Sequence, residues 1–160
     1  MKQEIVFLSV KDELSKAINS KADELYHLLS NFDASGLQTS DFFKDYFANH
    51  HLGQRLIFSI QSSAHILYQS IKKSNKKIEE LNIVDYGAGL GTLFMLGSML
   101  GVKRFVYNDH LSEWKNNAEL ICNTFNMPIT AYVVGDIKNV IDYANTASFK
   151  FDIVVSRNVI

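Results

Sequence analysis

The spacing of apolar positions changes character near residue 80. Before it, Leu14, Ile18, Ala22, Leu25 and Leu29 follow one another by four, four, three and four, which is one stripe of a helix. Asp33-Ala34-Ser35-Gly36 interrupts the stripe. Thr39 or Ser40 then stands where it can cap a short aromatic helix over 41–48, with Phe42, Phe43, Tyr46 and Phe47. From about Leu52 a longer helix is predicted, with Leu56, Ile60, Ala64, Leu67 and Ile71 on one face. It runs out in Lys72-Lys73-Ser74-Asn75-Lys76-Lys77. That run reads most simply as a solvated helix end, where cations complement the dipole. A nucleic-acid patch is the alternative, but nothing else basic clusters beside it.

After Leu81 short apolar runs alternate with helical stretches. Strands are predicted at 82–86, 104–108, 129–134 and 151–155, with helices at 92–100, 112–125 and 138–144 between them. Trp114, Ala118, Ile121 and Phe125 step by four, three and four, so the middle helix is amphipathic, and Trp114 and Cys122 are expected in its core face. Strands alternating with helices of this length imply right-handed βαβ crossovers and a parallel sheet. The expected architecture is an α/β, doubly wound domain over residues 81–160, preceded by a helical extension over residues 1–80.

Composition narrows the class. The chain has 160 residues and is 47% hydrophobic, enough for one sizeable core. Its 16 Lys and Arg balance 17 Asp and Glu, and only three residues are arginine (Arg55, Arg104 and Arg157), so there is no strong nucleic-acid footprint. A single cysteine, Cys122, excludes an intramolecular disulfide and a cysteine-built zinc site, and fits a reducing, cytoplasmic compartment. The apolar run at residues 5–8 is too short for a signal peptide. The uncharged stretch at 86–102 is too short and too interrupted by glycine for a membrane span.

The densest chemical signal lies in the first crossover, Val84-Asp85-Tyr86-Gly87-Ala88-Gly89-Leu90-Gly91-Thr92. Glycine at such a turn lets the backbone pass close to a ligand that a Cβ would obstruct. A ligand-free tight turn is the bland alternative, and three alternating glycines exceed what it requires. A nicotinamide-dinucleotide loop would need Gly or Ala at position 92, where Thr92 stands.

Asp85-x-Gly87-x-Gly89-x-Gly91 resembles motif I of the class I S-adenosylmethionine-dependent methyltransferases, and the rest of residues 81–160 follows in order. The resemblance implies that Asp85, Gly87, Ala88, Gly89 and Gly91 cradle S-adenosylmethionine. It implies that Asp109, eighteen residues after Gly91, takes both ribose hydroxyls. Taken alone, Asp109 would be read as a helix-entry aspartate. Val133-Val134-Gly135-Asp136-Ile137 looks like the family's adenine clamp, with Asp136 accepting from the exocyclic amine and the Ile137 N–H donating to the ring. Gly-Asp after a strand is equally ordinary turn chemistry. Ser156, Arg157 and Asn158 are similar to the segment that faces the methionyl part of the cofactor. His110 either flanks the adenine or is an exposed loop histidine.

Methyl transfer from a sulfonium relies on alignment, so no catalytic triad is needed, and none is legible. The Asn/Asp-Pro-Pro-Tyr signature that orients amine nucleophiles is absent after the fourth strand, which leans toward a small-molecule acceptor. Acceptor and catalytic residues are not named by the sequence. His50 and His51 are expected between helices or at the surface rather than on a metal. Arg55 stands where family members sometimes reach the cofactor carboxylate, a surface salt bridge being the alternative. The aromatic cluster at 42–47 either lids the substrate side or simply packs.

The family's sheet has seven strands in the order 3-2-1-4-5-7-6, whereas this sequence stops after the fourth. The expectation is therefore the cofactor-binding half of a methyltransferase, inactive alone, with an open fourth-strand edge that invites self-association. A non-catalytic binding module of the same fold is the alternative.

Overall fold

The computed structural model describes residues 5–38 and 51–157. The aromatic helix expected at 41–48, the candidate caps Thr39 and Ser40, His50, and Asn158 all lie outside the described residues.

The first helix, α1 (Glu13–Ser30), starts where Asp12 accepts from the Ser15 N–H at 2.9 Å while the Ser15 hydroxyl accepts from the Asp12 N–H, a reciprocal capping box. The second, α2 (Leu52–Ser74), is capped by His51, whose Nδ1 accepts from the Gln54 N–H at 2.9 Å. It ends at Asn75 in a left-handed conformation. Two lysines of the run at this end make long-range ion pairs, Lys72 with Asp12 at 3.1 Å and Lys76 with Asp152 at 2.6 Å. The two helices approach closely at Gly53, where a Cβ would collide with the Ser30 side chain and the Tyr26 carbonyl.

Four parallel strands follow: β1 (Asn82–Tyr86), β2 (Arg104–Asp109), β3 (Ala131–Val134) and β4 (Ile153–Ser156). They are connected by α3 (Thr92–Met99), α4 (Ser112–Thr124) and α5 (Ile137–Thr146). The spatial order is β3-β2-β1-β4, so the winding reverses between β1 and β4. This is a Rossmann-like, doubly wound α/β arrangement with N-terminal helices.

Alternation along the strands sorts the two faces. Ile83, Phe105, Tyr107 and Tyr132 face one side, in a core continuous with α1 through α4. Val84, Val106 and Val133 face the other, beneath Val140 of α5. Helix α3 lies between α2 and the sheet, so Leu93, Phe94, Met95 and Leu96 are all fully buried although they point in different directions. Phe94 stands at the middle of an aromatic set, with ring centroids 5.4 Å from Phe105, 5.7 Å from Tyr107 and 5.5 Å from Tyr132.

Two strands start later than their apolar runs suggest. The Phe105 N–H is taken by the Thr130 hydroxyl at 3.0 Å, so the β2–β3 ladder opens only at Val106 and Ala131. Ahead of β4, the Asp152 carboxylate accepts from the Asn82 N–H and Phe151 packs into the α5 side, leaving Ile153 as the first paired residue. Trp114 is half-buried rather than in the core, the inward position one turn on being the buried amide of Asn117. Cys122 is fully buried as expected.

Helix α3 can lie this near β2 because residue 97 is glycine: a Cβ there would overlap the Phe105 ring. Gly97→Ala is therefore expected to destabilise the fold by about 1–3 kcal/mol through overpacking. Urea denaturation measures this, and an unchanged midpoint would contradict the packing of α3 on β2.

Candidate functional site

The carboxyl ends of β1 and β4 flank the point where the sheet reverses direction, the usual position for a ligand crevice in open α/β sheets. Loop 87–91 leaves β1 here. Its three glycines all take positive φ: 71° at Gly87, 56° at Gly89 and 82° at Gly91. Side-chain-bearing residues adopt such values only with strain. Two of the glycines serve different ends. At Gly91 a Cβ would stand in ordinary contact with the Tyr107 ring at 3.4 Å, so glycine is called for there by its positive φ rather than by space. At Gly89 a Cβ would meet nothing within 4 Å, so the backbone there borders open space.

The last three residues of β2 fasten this loop. The Asn108 carbonyl accepts from the Ala88 N–H at 2.8 Å. Asp109 Oδ2 accepts from the Gly89 N–H at 2.9 Å, and the Tyr107 hydroxyl donates to the Gly89 carbonyl at 2.6 Å. Asp109 also accepts from the Leu111 N–H through Oδ1 and is only 5% exposed. The Asn108 amide reaches the other way, donating to the carbonyls of Val133 and Gly135 at the end of β3. His110 stands exposed, its Nδ1 3.4 Å from Asp109 Oδ1.

On the other side of the loop lies a polar cluster of which Arg157 was expected from the sequence, whereas Ser59 and Ser63 were not. Thr92, in the first turn of α3, has its hydroxyl 2.6 Å from that of Ser59 and 3.1 Å from that of Ser63, both on α2. Arg157, just past β4, donates to the Ser59 carbonyl and to the Thr92 hydroxyl, each at 3.4 Å. The signal for Ser63 was available: it is a polar residue within the stripe of Ile60, Ala64 and Leu67. Arg55, half-buried, lies one turn before Ser59 on the same helix.

Asp85 sits beneath this cluster at the end of β1, 1% exposed, with no hydrogen-bond partner of ordinary geometry for either carboxylate oxygen. The Phe94 amide faces it without completing such a bond, and the Arg157 charge acts on it across the crevice. Burial outweighs both, and the nearby Asp109 charge adds to it, so the carboxyl is pushed up to about 7.

The remaining candidates are spread along the sheet edge. Asp136 is exposed and caps α5, its Oδ1 accepting from the Lys138 and Asn139 N–H groups at 2.9 and 3.3 Å, so the turn chemistry is realised here. Ile137 opens that helix with 47% of its surface exposed. Ser156 is exposed and pairs in register with Tyr86, on the sheet face opposite Asp85. Among the described residues, no three His, Cys, Asp or Glu side chains converge to hold a metal, and no helix is long and apolar enough to cross a membrane.

Sheet order, reversal point and glycine loop together define a Rossmann-like domain. No protein-family model matches the sequence, nor does any curated protein. A solved structure similar to it is the "putative RNA methyltransferase PH1948" of Pyrococcus horikoshii, with TM-score 0.49 and 18% identity, the match covering 85% of this chain and 56% of that one. Another, from Thermoplasma acidophilum, has TM-score 0.44 and 17% identity, covering 73% of this chain and 52% of that one. The chain thus matches about half the length of each.

Asp85 makes stability depend on pH. With its carboxyl near 7 in the folded state and an ordinary value of 3.8, the folded protein keeps a proton that the unfolded chain gives up between these limits. Stability therefore falls as pH rises from about 4 to about 7 and levels off above that. Asp85→Asn should remove this slope, leaving the variant ~2–4 kcal/mol more stable than the parent at pH 8 and near parity at pH 4. Thermal melts across that range test it, and a difference that does not vary with pH would count against a buried, unpaired carboxyl.

Proposed function

We propose that the chain binds S-adenosylmethionine across loop 87–91 and the ends of β2 and β3, and serves methyl transfer to an acceptor. The observation that carries the reading is the open space at Gly89. A left-handed glycine there borders a void beside a carboxylate at the end of the neighbouring strand. A nucleoside needs both features: close backbone approach and a two-oxygen acceptor for a diol. The residues present fit the cofactor, which when bound supplies an activated methyl group on a sulfonium.

In this reading Asp109 accepts from the ribose hydroxyls, exchanging the Gly89 N–H for one of them. Asp136 uses Oδ1 to cap α5, which leaves Oδ2 to accept from an exocyclic amine. The Ile137 N–H, at the first helical position, has no acceptor within its own helix and is free to donate to the ring. Arg157, Thr92 and Asp85 border the methionyl end. The acceptor is not specified by these residues; Ser156-Arg157-Asn158-Val159 in place of an Asn/Asp-Pro-Pro-Tyr segment favours a small molecule over the amine of a base or amide.

Calorimetric titration with S-adenosylmethionine, S-adenosylhomocysteine and NAD tests the cofactor. The first two should bind and NAD should not; tighter binding of NAD would overturn the reading. Asp109→Ala should weaken S-adenosylhomocysteine by about 1–3 kcal/mol. Gly89→Val should weaken it at least as much, by filling the open space. Full affinity in a folded Asp109→Ala protein would remove Asp109 from the site.

A further inference from the structure

One residue of the glycine loop, Gly89, is gripped twice from β2, through the peptide on either side of it. The Gly89 N–H donates to Asp109, and the Gly89 carbonyl accepts from the Tyr107 hydroxyl at 2.6 Å. These two grips differ in what a ligand does to them. Asp109 is the group a ribose diol would compete for, so its hold on Gly89 weakens as the site fills. Tyr107 is fully buried and its hydroxyl is spent on the loop, so its hold persists. We infer that Tyr107 is a positioning residue for the glycine loop, the tether that keeps Gly89 in its ligand-accepting shape when Asp109 turns to a diol.

The ring is well fixed for this task. Its centroid is 5.7 Å from Phe94 and 5.4 Å from Tyr132, and Gly91 lies against its edge. With the ring unable to swing, the hydroxyl has one place to be, and the Gly89 carbonyl is held to it. Without the bond that carbonyl loses its buried donor, and Gly89 itself keeps only the Asp109 contact that the ligand displaces, the remaining tie to β2 lying one residue earlier at the Ala88 N–H. Tyr132 provides an internal control, since its buried hydroxyl belongs to the same aromatic set but makes no hydrogen bond to the glycine loop.

The role of Tyr107 toward ligand rests on the S-adenosylmethionine reading above, whereas its hold on the loop does not. Tyr107→Phe and Tyr132→Phe are therefore compared in two measurements. Amide hydrogen exchange in the ligand-free protein should show Gly89 and Gly91 exchanging about tenfold faster in Tyr107→Phe, with β1 and β2 unchanged. Calorimetry should show S-adenosylhomocysteine bound about three- to tenfold more weakly by Tyr107→Phe, from loss of one hydrogen bond. Tyr132→Phe should alter neither. Unchanged exchange at Gly89, or faster exchange with undiminished affinity, would overturn the proposal, as would a Tyr132→Phe protein behaving like Tyr107→Phe. If the parent protein binds no S-adenosylhomocysteine, the cofactor reading fails, and the exchange data alone then uphold or refute the tether.

Discussion

Tyr107, Asn108 and Asp109 close β2, and together they tie down the loops on either side. Tyr107 and Asp109 hold Gly89 and the Asn108 carbonyl holds Ala88 in the loop after β1, while the Asn108 amide reaches the end of β3. Strand ends in a parallel sheet leave their backbone groups without ladder partners, and a crevice built there needs them satisfied by something other than the ladder. Here β2 supplies that with a phenol, a carboxamide and a carboxylate in succession. The central strand thereby fixes the spacing of all three loops at the carboxyl edge on its side of the reversal point.

The opposite side of the crevice is organised less economically. Asp85 is buried with neither oxygen in an ordinary hydrogen bond, while hydroxyls from α2 crowd around Thr92. An arrangement chosen for stability would place an apolar residue at the end of β1, beside Ile83 and Val84. A carboxyl that costs stability in the ligand-free fold is the kind of local inconsistency expected where a site is waiting for a partner. The helical pair takes part in this through Ser59 and Ser63, so α2 forms one wall of the crevice as well as a cover for α3.

Much of the fold could be read from period alone. The stripe from Leu14 to Leu29 became α1, the stripe from Leu56 to Ile71 became α2, and the alternation after Leu81 became a parallel sheet wound in both directions. What escaped were effects of side chains on backbone: Thr130 capturing the Phe105 N–H and delaying β3, Asp152 doing the same ahead of β4, and Asn117 entering a position that periodicity assigns to an apolar residue. Asn117 is there because its amide clasps both the N–H and the carbonyl of Gln38, a contact across 79 residues that no local pattern announces. For the candidate site, the glycine spacing and the acid eighteen residues on singled out Gly89 and Asp109, which the fold joins by a hydrogen bond, and Asp85 on the neighbouring strand β1. The hydroxyl cluster was missed because Ser59 and Ser63 lie on an element with no strand-loop motif. The hold of Tyr107 on Gly89 was missed because an aromatic in a strand reads as core.

The burial of Cys122 has a practical side. Its side chain lies wholly inside the core formed by α4 and the sheet, and burial pushes the thiol up to about 11, so almost none of it is thiolate at neutral pH. With no second cysteine in the sequence, every sulfhydryl reaction of this protein reports on one interior point. An alkylating reagent reaches it only when α4 lifts from β2 and β3. The pace of labelling therefore counts openings of the layer that carries Asp109 at its head, a clock on the breathing of the crevice that needs no added probe.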